Sequence, residues 1–199
     1  ALEFVNSAFA IEPHAVDTGL VIVDGQPTSN GLSLFADSLV ANQNDTVVVP
    51  IRVLDFNDII GVQGTIGFDP SVADYVTVEQ FGVPGMTISN FGETQVGIGN
   101  LTFSWNAAGT SGVSLADSAV LFAVKYHVIG AGGSNTDISF LGAPTPMEIV
   151  DSNLVVLNPY LAGGYIEVEP DTSALFSLII DTVVGQETQL VNVPIRSKS

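Results

Sequence analysis

Few residues in this chain have the chemistry of a catalyst. Cysteine is absent, and the two histidines are His14 and His127. His127 follows Tyr126 in a run of alternating polarity, which puts its ring on the outward side of a strand. No serine sits in a Gly-x-Ser-x-Gly setting, so a nucleophile with its base is not expected. Hydrolysis by paired carboxylates needs two acids facing one cleft at a set separation. Acids such as Asp69, Asp74 and Glu79 occupy turns and outward strand positions instead, where they serve as solvated surface. The chain therefore reads as a non-enzyme.

Ligand chemistry is a little richer. Asp55-Phe56-Asn57-Asp58 gathers three oxygen-bearing side chains in one loop, and Asp24 with Asp37 or Asp171 could meet at a joint, as calcium would require. No full EF-hand loop or Gly-Gly-x-Gly-x-Asp repeat accompanies them, and turn formation explains the same residues, so no cofactor is assigned and calcium stays the one candidate. Sugars stack on exposed aromatic faces, but Trp105, the single tryptophan, shares one strand face with Leu101 and Phe103 and reads as core. Phe81 and Phe91, near Met86, are better placed than Trp105 for exposed contact, although local packing is the favoured reading of both. Asn44-Asp45-Thr46 and Asn100-Leu101-Thr102 are N-linked sequons of low information.

Bulk composition narrows the class. Of 199 residues, 46% are hydrophobic and 13% charged, which fits a folded chain with a real core. The formal charge of −17 leaves four cations, Arg52, Lys125, Arg196 and Lys198, too few to form a footprint on a phosphate backbone. Nucleic acid is excluded as a partner. Without cysteine there is neither a disulfide framework nor a thiolate zinc site, and no apolar run reaches the ~20 residues that span a bilayer. No signal-type segment opens the sequence, which is read as starting within a longer protein.

The elements that position these residues are strands. Val47, Val49, Ile51 and Val53 alternate on one side, as do Val62, Gly64, Ile66 and Phe68, with Asp69-Pro70 closing the second run. Strands are expected over 33–41, 46–55, 59–68, 74–80, 94–98, 100–106, 118–129, 136–141, 147–157 and 164–169, separated by glycine-rich turns. Ser114-Leu115-Ala116-Asp117 is expected to make one helical turn. Many short strands at this spacing imply two sheets packed face to face.

The order of these pieces carries a resemblance. A strand, a short polar loop, a glycine-containing strand, then Phe68-Asp69-Pro70-Ser71-Val72 and Tyr75-Val76-Thr77-Val78 resemble the opening half of a cohesin-type domain. The likeness continues through Asn100 to Trp105, Val120 to Tyr126 and Gly164 to Val168, covering roughly 33 to 170. It implies an all-β jelly-roll sandwich and, from the best-known members, capture of dockerins in cellulosomes. Cohesin-like modules also occur in large surface proteins, so the fold does not settle the partner.

An internal repeat sharpens the organisation. Ser33 to Arg52 recurs without a gap at Ser177 to Arg196, including Val49-Pro50-Ile51-Arg52 against Val193-Pro194-Ile195-Arg196. Leu2-Glu3-Phe4 resembles Ile138-Ser139-Phe140, and Gly19 to Val23 resembles Gly164 to Val168. The expected organisation is the tail of one module (1–24), a linker (25–32), one whole module (33–170), a linker (171–176) and the head of a third module (177–199). Both linkers are short and turn-rich with a nearby proline, hence semi-stiff. Strands are expected in the end pieces too, because their alternation is intact.

Asp37-Ser38-Leu39, Asp45-Thr46-Val47, Asp117-Ser118-Ala119 and Asp181-Thr182-Val183 resemble the O-glycosylation acceptor motif of secreted Bacteroidota proteins, which makes Ser38, Thr46, Ser118 and Thr182 glycosylation candidates. An acid followed by a hydroxyl residue also simply leads a turn into a strand. The reading that unites these features is a structural or adhesive repeat of a long extracellular or cell-surface protein. Its partners would be neighbouring repeats and a surface glycan or protein ligand. A module that binds a dockerin-like protein and a carbohydrate-binding module are the alternatives.

Overall fold

The computed structural model describes residues 31–170, together with the backbone of two strands, Ser177–Ile180 and Ile195–Lys198. Thirteen strands build the main unit. They are β1 (Ser33–Ala36), β2 (Leu39–Ala41), β3 (Thr46–Leu54), β4 (Ile59–Gly67), β5 (Ala73–Glu79), β6 (Phe91–Gly92) and β7 (Asn100–Asn106). The others are β8 (Val120–Val128), β9 (Asn135–Leu141), β10 (Glu148–Asp151), β11 (Val156–Leu157), β12 (Tyr160–Ala162) and β13 (Gly164–Val168). One sheet runs β12-β1-β3-β8-β5; the other runs β11-β10-β4-β9-β13-β2, with β7 beside β4 and β6 beside β7.

The alternation read from sequence becomes the core between the sheets. Val49, Ile51 and Val53 of β3, with Phe122, Val124 and Tyr126 of the neighbouring β8, face Val62 and Ile66 of β4 and Leu101, Phe103 and Trp105 of β7, all buried. Their burial supplies the main stabilisation, at roughly 1.5–3 kcal/mol per large apolar side chain. Phe91, Phe103 and Phe122 form an edge-on cluster with centroids 4.9–6.2 Å apart.

Several local expectations need correction. The run 33–41 is two strands, because the chain changes sheets at Asp37-Ser38: β1 pairs with β3 and β12, whereas β2 pairs with β13. The run 147–157 is also broken, by a turn in which Asp151 accepts hydrogen bonds from the Asn153 and Val155 amides. In place of the strand expected over 94–98 there is a 3-10 turn, Val96–Ile98, ended by Gly99 in the left-handed region at φ +83. Ser114 to Asp117 makes no helical turn. Its groups are spent on the β3–β4 connection: Ser114 Oγ accepts from the Asp58 amide, Leu115 N donates to Phe56 O, and Asp117 Oδ1 accepts from the Asp55 amide.

The first and last stretches of the unit lie side by side and parallel. β1 pairs with β12 from Ser33↔Tyr160 to Phe35↔Ala162, and β2 with β13 from Leu39↔Ile166 to Ala41↔Val168, across both sheets. Parallel pairing means that the chain enters at one end of the sandwich and leaves at the other, some 30 Å away at ~3.3 Å per residue. A clasp fixes the sheet-changing corner. Arg52 Nε donates to both carboxylate oxygens of Asp37 (3.0 and 2.9 Å), Arg52 Nη1 donates to Ser118 O, and the Tyr165 amide donates to Ser38 Oγ.

Two exposed carboxylates tie turns and make stability pH-dependent. Asp69 is held below the usual carboxylate range by the Ser71 hydroxyl and then the Ser71 amide. Asp151 is lowered chiefly by the Val155 amide, with Asn153 adding to it against the opposing effect of burial. A carboxyl with a depressed folded-state pKa adds stability above its unfolded pKa, about 3.9, and loses it as pH falls through the folded value. The melting midpoint is thus expected to be flat from neutrality to about pH 5 and to fall in the acid range below about 4. The double variant Asp69→Asn, Asp151→Asn should show a shallower fall; an identical acid slope would mean that these turns do not contribute.

Candidate functional site

The two outward faces of the sandwich differ in chemistry. On the β12-β1-β3-β8-β5 sheet, Arg52, Lys125 and His127 point outward beside Asp37, Asp74 and Glu79. Lys125 pairs with Glu79 and Arg52 with Asp37, so both cations of residues 31–170 are neutralised there. His127 lies outward as its alternation implied, opposite Thr46 and Asp74.

The opposite face is almost uncharged where β7, β4 and β10 form it, while its β9–β13 part carries Asp137 and Glu167. β7 turns Leu101, Phe103 and Trp105 into the core, which leaves Asn100, Thr102, Ser104 and Asn106 outside. Each stands beside an outward residue of β4: Gly67, Thr65, Gln63 and Gly61. On the other flank Glu148 pairs with Gln63, and Val150 with Gly61 and Val156. Glycine keeps this surface flat. A β-carbon at Gly61 would lie 2.9 Å from Asn106 Oδ1, one at Gly67 would run into the Leu141 side chain, and one at Gly92 into Thr102 Oγ1. Neighbouring side chains therefore lie down over the glycines instead of standing up.

One crossing segment divides the face. Thr65 is fully buried, because its Oγ1 donates to Thr145 O (2.8 Å) and accepts from the Thr145 amide (3.0 Å). On one side of Thr145 the open surface comprises Gly61, Gln63, Ser104, Asn106, Glu148 and Val150. On the other lies a broader groove of about 540 Å³ between the 67–70, 98–100 and 135–141 segments, with Ile98 and Leu141 at its wall. Asn90 Nδ2 donates to Ser104 O at 2.8 Å and ties the β6 approach to β7. The Gly61–Val150 side is rich in amides and hydroxyls and poor in charge, whereas the groove carries Asp69 and Asp137. The former suits a flat protein partner rather than a reacting small molecule.

The structure scatters the residues singled out from sequence. Ser38, Thr46 and Ser118 are exposed, and Ser38 and Ser118 flank the Arg52–Asp37 clasp; Thr182 lies outside the described residues. The backbone at Asp55 and Asp58 adopts φ of +50 and +54, and their amides bond to Asp117 and Ser114 in an ordinary connection. Among the described residues no three His, Cys, Asp or Glu side chains converge as a metal site; Asp24, Asp171 and His14 lie outside them. Trp105 is core, as its alternation implied, and its Nε1 donates to Pro84 O at 2.9 Å. Phe91 takes the packing reading, buried against Phe103 and Phe122; Phe81 keeps a partly open edge 6.0 Å from it. Sequence reasoning did not pick out Gln63, Ser104, Asn106 and Glu148. The signal was present in the small polar residues alternating with Leu101, Phe103 and Trp105, but only the pairing of β7 with β4 makes them one surface.

No helix among the described residues is long and apolar enough to cross a membrane. Residues 32–153 match the family model described as the cohesin domain. Solved structures with the same fold include the sixth cohesin of scaffoldin B from Acetivibrio cellulolyticus, in complex with a Cel5 dockerin mutant. It is 22% identical, with a TM-score of 0.59 over 70% of this chain and 99% of that one. A type I cohesin–dockerin complex from Clostridium thermocellum, Coh-OlpA with Doc918, gives 14% identity and a TM-score of 0.60 over 70% and 99%. A non-cellulosomal cohesin from the archaeon Archaeoglobus fulgidus gives 17% and 0.53 over 72% and 94%. No curated protein sequence matches the chain.

Proposed function

The chain belongs to the cohesin domain family, and on that premise we propose that it is a non-catalytic recognition module that docks a dockerin-like protein on the outer face of its β6-β7-β4-β10 sheet. The observation that carries this reading is the contrast between the faces. In a chain of net charge −17, the surface around Gly61, Gln63, Ser104, Asn106 and Val150 presents a single carboxylate, that of Glu148. Charge depletion with a flat centre is what a protein interface requires, because buried unpaired charge is costly. Two of the solved relatives were captured with dockerins, which supports the class of partner.

A second reading is a structural or adhesive repeat of a long extracellular or cell-surface protein. It is favoured by the parallel first and last strands, which carry a pull straight through the sandwich. The two readings are compatible, since a repeat can present a docking face while its ends join neighbours. A carbohydrate-binding role has less support: Trp105 is sealed in the core and no aromatic ring lies on the neutral face among the described residues.

Calorimetric titration with a dockerin-bearing polypeptide tests the proposal. Ser104→Arg places bulk and charge at the centre of the face without touching the core, and is expected to weaken binding by a factor of about 30 or more, equivalent to ~2 kcal/mol at a hot spot. Lys125→Gln, on the opposite sheet, should change affinity less than about twofold. No binding to any dockerin tried, or equal losses from both variants, would remove this face from consideration.

A further inference from the structure

We infer that residues 177–198 are the opening strand pair of a second module built on the plan of the first, at a spacing of 144 residues. The inference is independent of which partner the first module takes. Its basis is a coincidence of register. The strands Ser177–Ile180 (β14) and Ile195–Lys198 (β15) pair antiparallel, with Ser177↔Lys198, Leu178↔Ser197, Ile179↔Arg196 and Ile180↔Ile195. β1 and β3 pair as Ser33↔Leu54, Leu34↔Val53, Phe35↔Arg52 and Ala36↔Ile51. Adding 144 to either member of each β1–β3 pair gives the corresponding β14–β15 pair. A one-residue slip would turn every side chain to the other face, so a shared register is a demanding match.

The pattern of identities agrees with a common packing task. The core-facing residues Leu34, Val47, Val49 and Ile51 recur unchanged as Leu178, Val191, Val193 and Ile195. The clasp pair Asp37 and Arg52 also recurs, as Asp181 and Arg196. All four residues of the exposed turn Asn42-Gln43-Asn44-Asp45 differ, Gln186-Glu187-Thr188-Gln189 standing there, and of the core residues Ala36 and Ala41 become Ile180 and Gly185. A hairpin formed for its own sake has no need of β3's inward set or of the clasp. Both serve the remainder of a sandwich.

Chain length bounds the distance between the two units. β13 ends at Val168 on the exit side of the sandwich, opposite the entry at Ser33, and eight residues separate Val168 from Ser177. Eight residues reach at most ~30 Å, so the second unit starts within that distance of the exit end of the first.

A fusion tests this. Residues 1–196 followed by residues 53–170 graft the body of the first module onto the proposed head of the second, at the point where Arg52 and Arg196 coincide. The expected result is close to twice the calorimetric unfolding enthalpy of the parent chain, matching a reference fusion of residues 1–176 followed by 33–170. Residues 1–195 followed by 53–170 shift the alternation by one and should return the parent enthalpy. A hybrid that stays at the parent value, or a shifted fusion that folds equally well, overturns the inference. As the chain has no cysteine, Leu178→Cys with Ser197→Cys gives a second readout in the full chain. Oxidation should cross-link this pair and leave Leu178→Cys with Arg196→Cys open; the reverse pattern also overturns the register.

Discussion

Replacing Trp105 by alanine should destabilise the module by about 3–5 kcal/mol, the cost of emptying a sealed aromatic site. Trp105 is 1% exposed, next to the last residue of β7. Its indole N–H donates to Pro84 O, so the variant opens a cavity and also deprives the 82–86 loop of its anchor. At roughly 2–4 °C per kcal/mol for a domain of this size, the melting midpoint should fall by about 10 °C or more. Trp105→Phe keeps most of the packing and loses the hydrogen bond, so a smaller loss of about 1–2 kcal/mol is expected. Urea unfolding followed by far-ultraviolet circular dichroism measures both. A Trp105→Ala midpoint within 1 kcal/mol of the parent would contradict a closed core at this position. Phe81→Ala is the contrasting case, since its partly exposed ring can be trimmed at a cost nearer 1 kcal/mol.

The second large effect is expected at Gly164, where the chain corner crosses the last strand. A β-carbon there would collide with the carbonyl oxygens of Asp37 and Ala36, the latter at 2.6 Å. These are backbone atoms at the point where the chain passes from β1, paired with β3, to β2, paired with β13, so no rotamer change relieves the clash. Gly164→Val should cost about 3 kcal/mol, at the upper end for overpacking, and should weaken the β2–β13 pairing specifically. Hydrogen exchange is the direct measurement. Amides of Leu39 to Ala41 and Ile166 to Val168 should lose protection before those of β4 and β7. Uniform loss across both sheets would mean that the corner is not a separate weak point. If the terminal strands bear tension in a longer chain, the same variant should lower the unfolding force.

Much of this architecture is legible in the chain itself, and the reasons are local. Period-two alternation announces β3, β4, β7 and β8 because a half-buried strand must present apolar residues to one side, and Leu101, Phe103 and Trp105 do so without interruption. The sheet change at Asp37-Ser38 is not legible, since β1 and β2 look like one alternating run. What breaks them is the distant arrival of β13 and the Arg52 clasp. The 3-10 turn at Val96–Ile98 was read as strand for a similar reason: Val96 and Ile98 alternate, but Gly99, held by its left-handed φ, ends the run before any partner can pair. Phe91 looks like a loop aromatic in sequence and is core in space, because the short β6 lays it on Phe103.

The candidate face shows the same division. Gln63, Ser104, Asn106 and Glu148 are far apart along the chain and individually unremarked, and strand pairing alone sets them side by side. Local alternation and turn residues were sufficient to determine most of the strand content and the 144-residue echo between Ser33 and Ser177, because each depends on neighbours within one or two strands, and the order of those pieces carried the family resemblance. Which strands adjoin, where the chain changes sheets and which outward residues meet as a neutral surface were decided by tertiary structure, because contacts between residues 40 to 130 positions apart are chosen by closure of the whole core.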